Sequence, residues 1–383
     1  MPPVSLKSRL ELPYFSRHHV PNLTWCDNGD LLLNIFTAPV DYSDQMAILI
    51  SRLRRGMYQW DPPARFFIAP DRNVDTGILF NDGKGEIHSY IGLRGSLSFE
   101  GGRYGGAGEG VSALKRVSTD YGASWSKPYI VHEYPACEAS DITFEGEPHL
   151  RPRMSIVRMN DGSLVMPNDI TGEGTVLFVS RDNGESWKEK SRFGWNPEGF
   201  AQAGDSAGWI AGIHAPVVEL EDGRLLCFGR LSDIEDRAPM SVSGDGGQTW
   251  MYQASPFPPV ASSQRPTMIR LAEGPILLIW STDLVSRVRN SRGVPEKGMD
   301  FMDENGEVHK GYGLFGTLSF DEGETWPLRK IIPTDPGLPW DARHDGGMYI
   351  DVVQTPDEMI HMVSSSRYYR FNLAWLNAPM PAP

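Results

Sequence analysis

Short apolar segments along this chain come in pairs, each running into a polar or glycine-containing corner and returning as a second apolar segment. Six such corners stand at Asn28-Gly29, Asp82-Gly83, Asp161-Gly162, Asp222-Gly223, Glu273-Gly274 and Asp357-Glu358. Apolar runs joined through corners of this kind predict antiparallel hairpins. A second pattern follows the hairpins. The octapeptide Ser-x-Asp-x-Gly-x-Ser/Thr-Trp occurs four times, at Ser118–Trp125, Ser180–Trp187, Ser243–Trp250 and Ser319–Trp326, and self-similarity of this order marks a repeat architecture. Each copy reads as a hairpin tip: Asp folds back on its own backbone, Gly supplies a positive φ and Trp covers the turn. Ser51–Trp60 occupies the place of a fifth, degenerate copy.

The octapeptide resembles the Asp-box of the sialidase-type β-propellers, a family whose boxes sit on outer strands away from the substrate. The resemblance spans roughly His18 to Leu376. It implies an all-β fold, a six-bladed β-propeller of four-stranded antiparallel blades, with residues 1–383 as a single domain. Pairing each hairpin with the box that follows places the blades at about 18–65, 73–130, 148–195, 210–255, 262–332 and 346–376. The sixth has room for only three strands, so Leu6–Phe15 is expected to supply the fourth and remove the open edge.

Composition agrees with a large all-β body: 383 residues hold 40 Gly, 30 Pro and 11 Trp. A net charge of −13 without a basic run argues against nucleic acid or anionic membrane as partner. No apolar stretch of about 18 residues is present to span a bilayer, and Met1-Pro-Pro-Val-Ser-Leu-Lys7 lacks the apolar core of a signal peptide, so a cytoplasmic enzyme is expected. Cys26, Cys137 and Cys227 are odd in number, lack metal-type spacing and read as reduced, buried thiols. His18 and His19 face opposite sides of a strand, and His88, His149, His344 and His361 are dispersed; no metal or cofactor is expected. The run Gly101–Gly110 lacks the Lys-Ser/Thr ending of a phosphate cradle. The insert Asp283–Tyr312 is longer than a hairpin needs and reads as a lid over the site or a contact between copies in a homo-oligomer.

Register locates the candidate site. In a propeller the first strand of each blade lines the axis, so residues equally far from their corners share one height. Eight residues before the corner stand Arg153, His214, Arg265 and Tyr349 in blades three to six, with Val74 beside Asp75 in the second and Val20 beside His19 in the first. Eight residues after it stand Tyr90, Asp169, Arg230, Ser281 and Ser365. Cross-strand neighbours follow: Arg153 with Asp169, His214 with Arg230, Tyr349 with Ser365. A single arginine at a strand end ordinarily pairs with a rim carboxylate. Arg153, Arg230 and Arg265 at one level repel each other unless an anion neutralises them, although Asp169 already suits Arg153. A carboxylate or a densely hydroxylated sugar is the fitting ligand, with His19 and Asp75 as further substrate contacts.

The resemblance assigns roles. Tyr349-Ile-Asp-Val-Val-Gln-Thr-Pro-Asp357 resembles the sixth-blade strand that carries the family's nucleophilic tyrosine, and a neutral phenol avoids repulsion from an acidic sugar. Asp44, in the loop before Met46–Ile50, matches the acid/base aspartate, with Asp41 a near competitor. Arg230 matches one arginine of the carboxylate-binding triad. Two departures change the picture. His214 stands where the family places the glutamate that deprotonates the tyrosine, and an imidazole is also a base. His19-Val20-Pro21 replaces the family's Arg-Ile-Pro, and Arg17 points to the other strand face, so the first arginine of the clamp is missing.

Three function classes follow. The first is a sialidase-like exo-glycosidase removing a terminal acidic or deoxy sugar, with Tyr349 as nucleophile, His214 as its activator, Asp44 as acid/base and Arg230, Arg265 and Arg153 orienting the sugar. The second is a polysaccharide lyase, in which His214 or Tyr349 abstracts the proton beside a uronate carboxylate. The third is a carbohydrate-binding propeller without chemistry.

Overall fold

The computed structural model describes residues 15, 17–39, 45–69, 72–95, 99–100, 103–104, 112–133, 150–169, 174–190, 203–230, 233–260, 264–282, 298–335, 338–339 and 349–383. Among the described residues six antiparallel sheets of three or more strands follow one another along the chain. The first runs Arg17–Trp25, Leu31–Ala38, Ala47–Leu53, Ala64–Ile68; the second Arg72–Asn81, Ile87–Gly95, Ser112–Ser118, Tyr129–Glu133. The third runs Val157–Arg158, Leu164–Asp169, Gly174–Ser180, Lys188–Glu189, and the fourth Val217–Glu219, Leu225–Phe228, Pro239–Ser243, Trp250–Ala254. The fifth runs Thr267–Arg270, Ile276–Ser281, Leu314–Ser319, Leu328–Ile331, and the sixth Ile350–Gln354, Ile360–Ser364, Tyr368–Phe371. The strand expected at Leu6–Phe15 lies outside the described residues except for Phe15, whose backbone N–H and C=O both bond the Thr37 hydroxyl. Contacts group the chain into two compact units, one from Ser8–Thr171 and Val176–Lys190, the other from Gly172–Thr175 and Ser191–Pro383.

Each octapeptide closes its strand pair by one hydrogen-bond pattern. In the first copy Asp120 accepts from the Ser118 hydroxyl at 2.7 Å, the Ser124 amide at 2.8 Å and the Ser124 hydroxyl at 2.6 Å, while Ser118 accepts from Gly122 N–H at 2.7 Å. Asp182, Asp245 and Asp321 repeat the arrangement. The Ser124 hydroxyl and amide hold the Asp120 carboxyl down to about 2. At Asp182 and Asp245 partial burial pulls the other way but the hydroxyl and amide donors outweigh it, again to about 2. The glycine is required twice over in the second copy. Gly184 has φ +84, and a Cβ there would overlap the Tyr90 hydroxyl, which donates to the Gly184 carbonyl at 3.1 Å. The second-copy Trp187 meets the Tyr90 ring edge-on at 5.6 Å. Tyr90, fully buried, therefore locks this box to the preceding blade and serves the fold.

The core of the second unit's fourth and fifth sheets gathers Phe228, Phe257, Trp280, Phe315 and Trp326. The described half of the long insert joins it: Met299–Met302 and Val308–Gly311 form a hairpin whose Met299 and Phe301 are buried in that cluster beside Met380. This half is packed structure rather than a free flap; residues 283–297 lie outside the described residues. The chain ends on a short helix, Leu373–Asn377, capped by the Asn372 side chain and gripped by buried Lys330, which donates to the carbonyls of Trp375 at 2.6 Å and Ala378 at 2.7 Å. Cys26 and Cys227 are free and buried, and Cys137 is outside the described residues. Among the described residues no helix is long and apolar enough to cross a membrane.

Candidate functional site

The site starts from a fault in strand pairing. The Val217–Glu219 and Leu225–Phe228 strands pair in one register, Val217 opposite Cys227, and continuing it would set His214 opposite Arg230. Instead Ile213 pairs with Arg230, exchanging both backbone bonds at 3.0 and 3.1 Å. One extra residue is thus accommodated before the strand, and His214 takes a left-handed φ of 56°. This corrects the expected His214–Arg230 pairing by one position. The backbones come together through two glycines: a Cβ on Gly212 would stand 2.7 Å from the Arg230 carbonyl oxygen, and one on Gly229 would overlap the Ala211 carbonyl. A bulge re-aims a side chain, and a histidine in this conformation persists only where its surroundings over-determine it.

The re-aimed imidazole meets Tyr349. His214 Nε2 lies 2.5 Å from the Tyr349 Oη, with the rings edge-to-face at 5.0 Å. Arg230 Nη2 donates to the same oxygen at 2.8 Å. Because the guanidinium has only donors, the phenol oxygen accepts from it, while the direction of the contact with His214 Nε2 follows the imidazole tautomer. Tyr349 forms a parallel bridge with Arg265, whose Nε and Nη2 donate to the Ile350 carbonyl at 3.2 and 2.9 Å. The guanidinium carbons of Arg230 and Arg265 lie 5.4 and 5.3 Å from the Tyr349 ring centroid, a distance at which a desolvated cation–π contact is worth about 2 kcal/mol. Both arginines and His214 are buried, at 4%, 3% and 2% exposure, while Tyr349 is half-buried. Ser365 Oγ donates to the Tyr349 carbonyl at 3.5 Å, in the expected cross-strand place.

The structure thus brings together Tyr349, His214, Arg230 and Arg265. The remaining candidates belong to the other unit. His19 is buried edge-on against Phe36, its cross-strand neighbour, and a register shift follows it, with Val20 at φ 51°. Asp75 occupies the extra position between the pairs Val74–Leu93 and Thr76–Gly92. Arg153 precedes the paired part of its strand, which starts at Val157, so no ladder joins it to the buried Asp169. Asp44 and Asp41 lie outside the described residues. Gly212 and Gly229 went unread in the sequence, although each sits within two residues of a candidate inside a strand pattern, a signal for a bulge or close backbone approach.

Among the described residues two hairpin corners gather metal-type ligands, Asp82 with Glu86 and His88, and Asp303 with Glu307 and His309. His88 Nε2 lies 3.1 Å from Glu86, and His309 Nε2 lies 3.0 Å from Asp303. The sixth-sheet hairpin has the same spacing with Thr355 in place of the aspartate, and His361 Nε2 lies 3.2 Å from its hydroxyl. A histidine thus stands at this hairpin position with a glutamate, an aspartate or a threonine as its partner.

Comparison with known proteins agrees with this architecture. A family model described as a BNR repeat-like domain matches residues 29–362. The sialidase of Micromonospora viridifaciens is 24% identical over 416 aligned positions, covering 96% of this chain and 54% of the relative, so the chain spans about half that protein's length. A Hadza microbial sialidase superposes with a TM-score of 0.61 at 17% identity, covering 95% of this chain and 67% of that one. The intramolecular trans-sialidase from Ruminococcus gnavus, solved with oseltamivir carboxylate, gives 0.59 at 12% identity, covering 95% and 96%. The shared fold is the six-bladed β-propeller, with this chain's six sheets as its blades.

Proposed function

This chain belongs to the BNR repeat-like family, and from that premise we propose that it is a sialidase-type exo-glycosidase that removes a terminal acidic or deoxy sugar from a glycan. The observation that carries the reading is the convergence of His214 Nε2 and Arg230 Nη2 on the Tyr349 hydroxyl. The imidazole takes the phenol proton, the guanidinium stabilises the negative charge developing on the oxygen, and that oxygen attacks the anomeric carbon as the glycosidic bond breaks. Asp44 is assigned by resemblance to protonate the leaving oxygen and later to activate water. Arg265 flanks the ring and supports a substrate carboxylate or hydroxyls. The absence of one arginine of the family's clamp, at His19, extends the reading to acidic or deoxy sugars other than sialic acid.

Purified protein screened against aryl glycosides and acidic oligosaccharides should release sugar, and Tyr349→Phe should lower kcat/KM by at least about 10³-fold. Full activity in that variant refutes the mechanism. One observation favours a second reading. An imidazole and a guanidinium that meet one phenol are also the groups a lyase needs to abstract a proton beside a uronate carboxylate. New double-bond absorbance in the same wells would establish elimination instead of hydrolysis.

A further inference from the structure

The segment that carries His214 is pinned from several strands at once. The Tyr252 hydroxyl donates to the Trp209 carbonyl. Ala211 N–H donates to the Ser241 hydroxyl at 3.1 Å, and the Thr175 hydroxyl donates to the Gly212 carbonyl at 3.0 Å. Ile213 is held by both backbone groups of Arg230. Thr175 and Ser241 have no exposed surface, and Tyr252 has 1%. These anchors come from the strands Gly174–Ser180, Pro239–Ser243 and Trp250–Ala254.

The anchor at Gly212 acts nearest the imidazole. Gly212 and His214 have φ of 80° and 56°, so the backbone on either side of Ile213 departs from strand geometry and the Gly212 carbonyl accepts from a side chain in place of a ladder partner. A hydroxyl supplied from a neighbouring strand replaces the missing donor and fixes the plane of the Gly212–Ile213 peptide. Turning that plane would swing the His214 side chain, which must keep Nε2 at 2.5 Å from the phenol oxygen.

We propose that Thr175 is a positioning residue that acts through the Gly212 carbonyl to hold His214 on Tyr349. The proposal rests on the reading of Tyr349 and His214 as the reacting pair. Thr175→Val keeps shape and branching but removes the donor, leaving a buried carbonyl without it; Thr175→Ser keeps the donor and loses a methyl.

The test combines steady-state kinetics with histidine-labelled NMR, the His214 signals being assigned by their loss in His214→Gln. Thr175→Val should lower kcat about tenfold with KM within about twofold, the size of one orphaned buried acceptor, and should shift or broaden the His214 imidazole signals. Thr175→Ser should stay within about twofold of the parent protein in kcat, with unchanged signals. If the Val protein does not fold, Thr175→Cys, whose thiol is a weak donor, takes its place with the same expectations. Unchanged kcat and unchanged His214 signals in the donor-less variant would overturn the proposal, as would Ser being as damaged as Val, since packing of the methyl would then be the cause. Failure of the parent protein to turn over any sugar would sink the glycosidase reading alone. The imidazole signals would still decide the role of Thr175.

Discussion

Gly229→Ala tests whether the two-glycine crossing is what assembles the site. The added Cβ would overlap the Ala211 carbonyl oxygen and stand 2.8 Å from Gly212 Cα and 2.9 Å from the Ala211 carbonyl carbon. All three are backbone atoms, so no side chain can swing away and the strands must part by roughly 1.5 Å to reach ordinary contact. The adjoining pair of Ile213–Arg230 bonds, at 3.0 and 3.1 Å, would stretch out of range. Losing two backbone bonds at about 1 kcal/mol each and overpacking at about 1 kcal/mol or more gives a cost of about 3 kcal/mol. With about 2.1 cal/mol/K of unfolding entropy per residue over 383 residues, that is a fall of about 4 °C in Tm. Arg230 and His214 sit on opposite sides of the crossing, so the same displacement should lower kcat by about 10²-fold. Calorimetry and initial rates read the two effects. Gly244→Ala is the control, because nothing lies within 4 Å of its added Cβ. A Gly229→Ala protein with the parent Tm and parent kcat would show that the backbones separate freely and that the crossing does not hold the site.

The turn aspartates make stability pH-dependent in acid. Folded values near 2 for Asp120, Asp182 and Asp245 lie below the unfolded value of about 3.9, so their stabilisation is complete above about pH 4 and is lost as pH falls through 2. The advantage of the parent protein over a triple Asp→Asn variant, measured by urea unfolding, should shrink across that window; a constant difference would contradict the assignment. Lys330→Met removes the donor from the Trp375 and Ala378 carbonyls and should destabilise the C-terminal helix by about 1–3 kcal/mol. Carboxypeptidase should then trim the chain end faster than in the parent protein, and equal trimming rates would refute the anchoring role.

The parts of this molecule legible in its sequence are those fixed by neighbours in the chain. Asp120 reaches only as far as Ser124, and the box turns and hairpin corners follow from Asp, Gly and Trp at set spacings. The period-two register also carried Tyr349 to Ser365 correctly, because the pair Ile350–Ser364 continues without interruption. It failed where a strand admits an extra residue: between His19 and Asn22, between Val74 and Thr76, and at Gly212–His214. Each fault lies in the first strand of its hairpin, at or beside His19, Asp75 and His214. A regular strand would leave His214 directly opposite Arg230. The bulge, made possible by Gly212 and Gly229, instead sets the imidazole and the guanidinium on one phenol oxygen from two directions. At His214 the local rule breaks where a side chain has to be aimed, so there the departure from pattern marks the site.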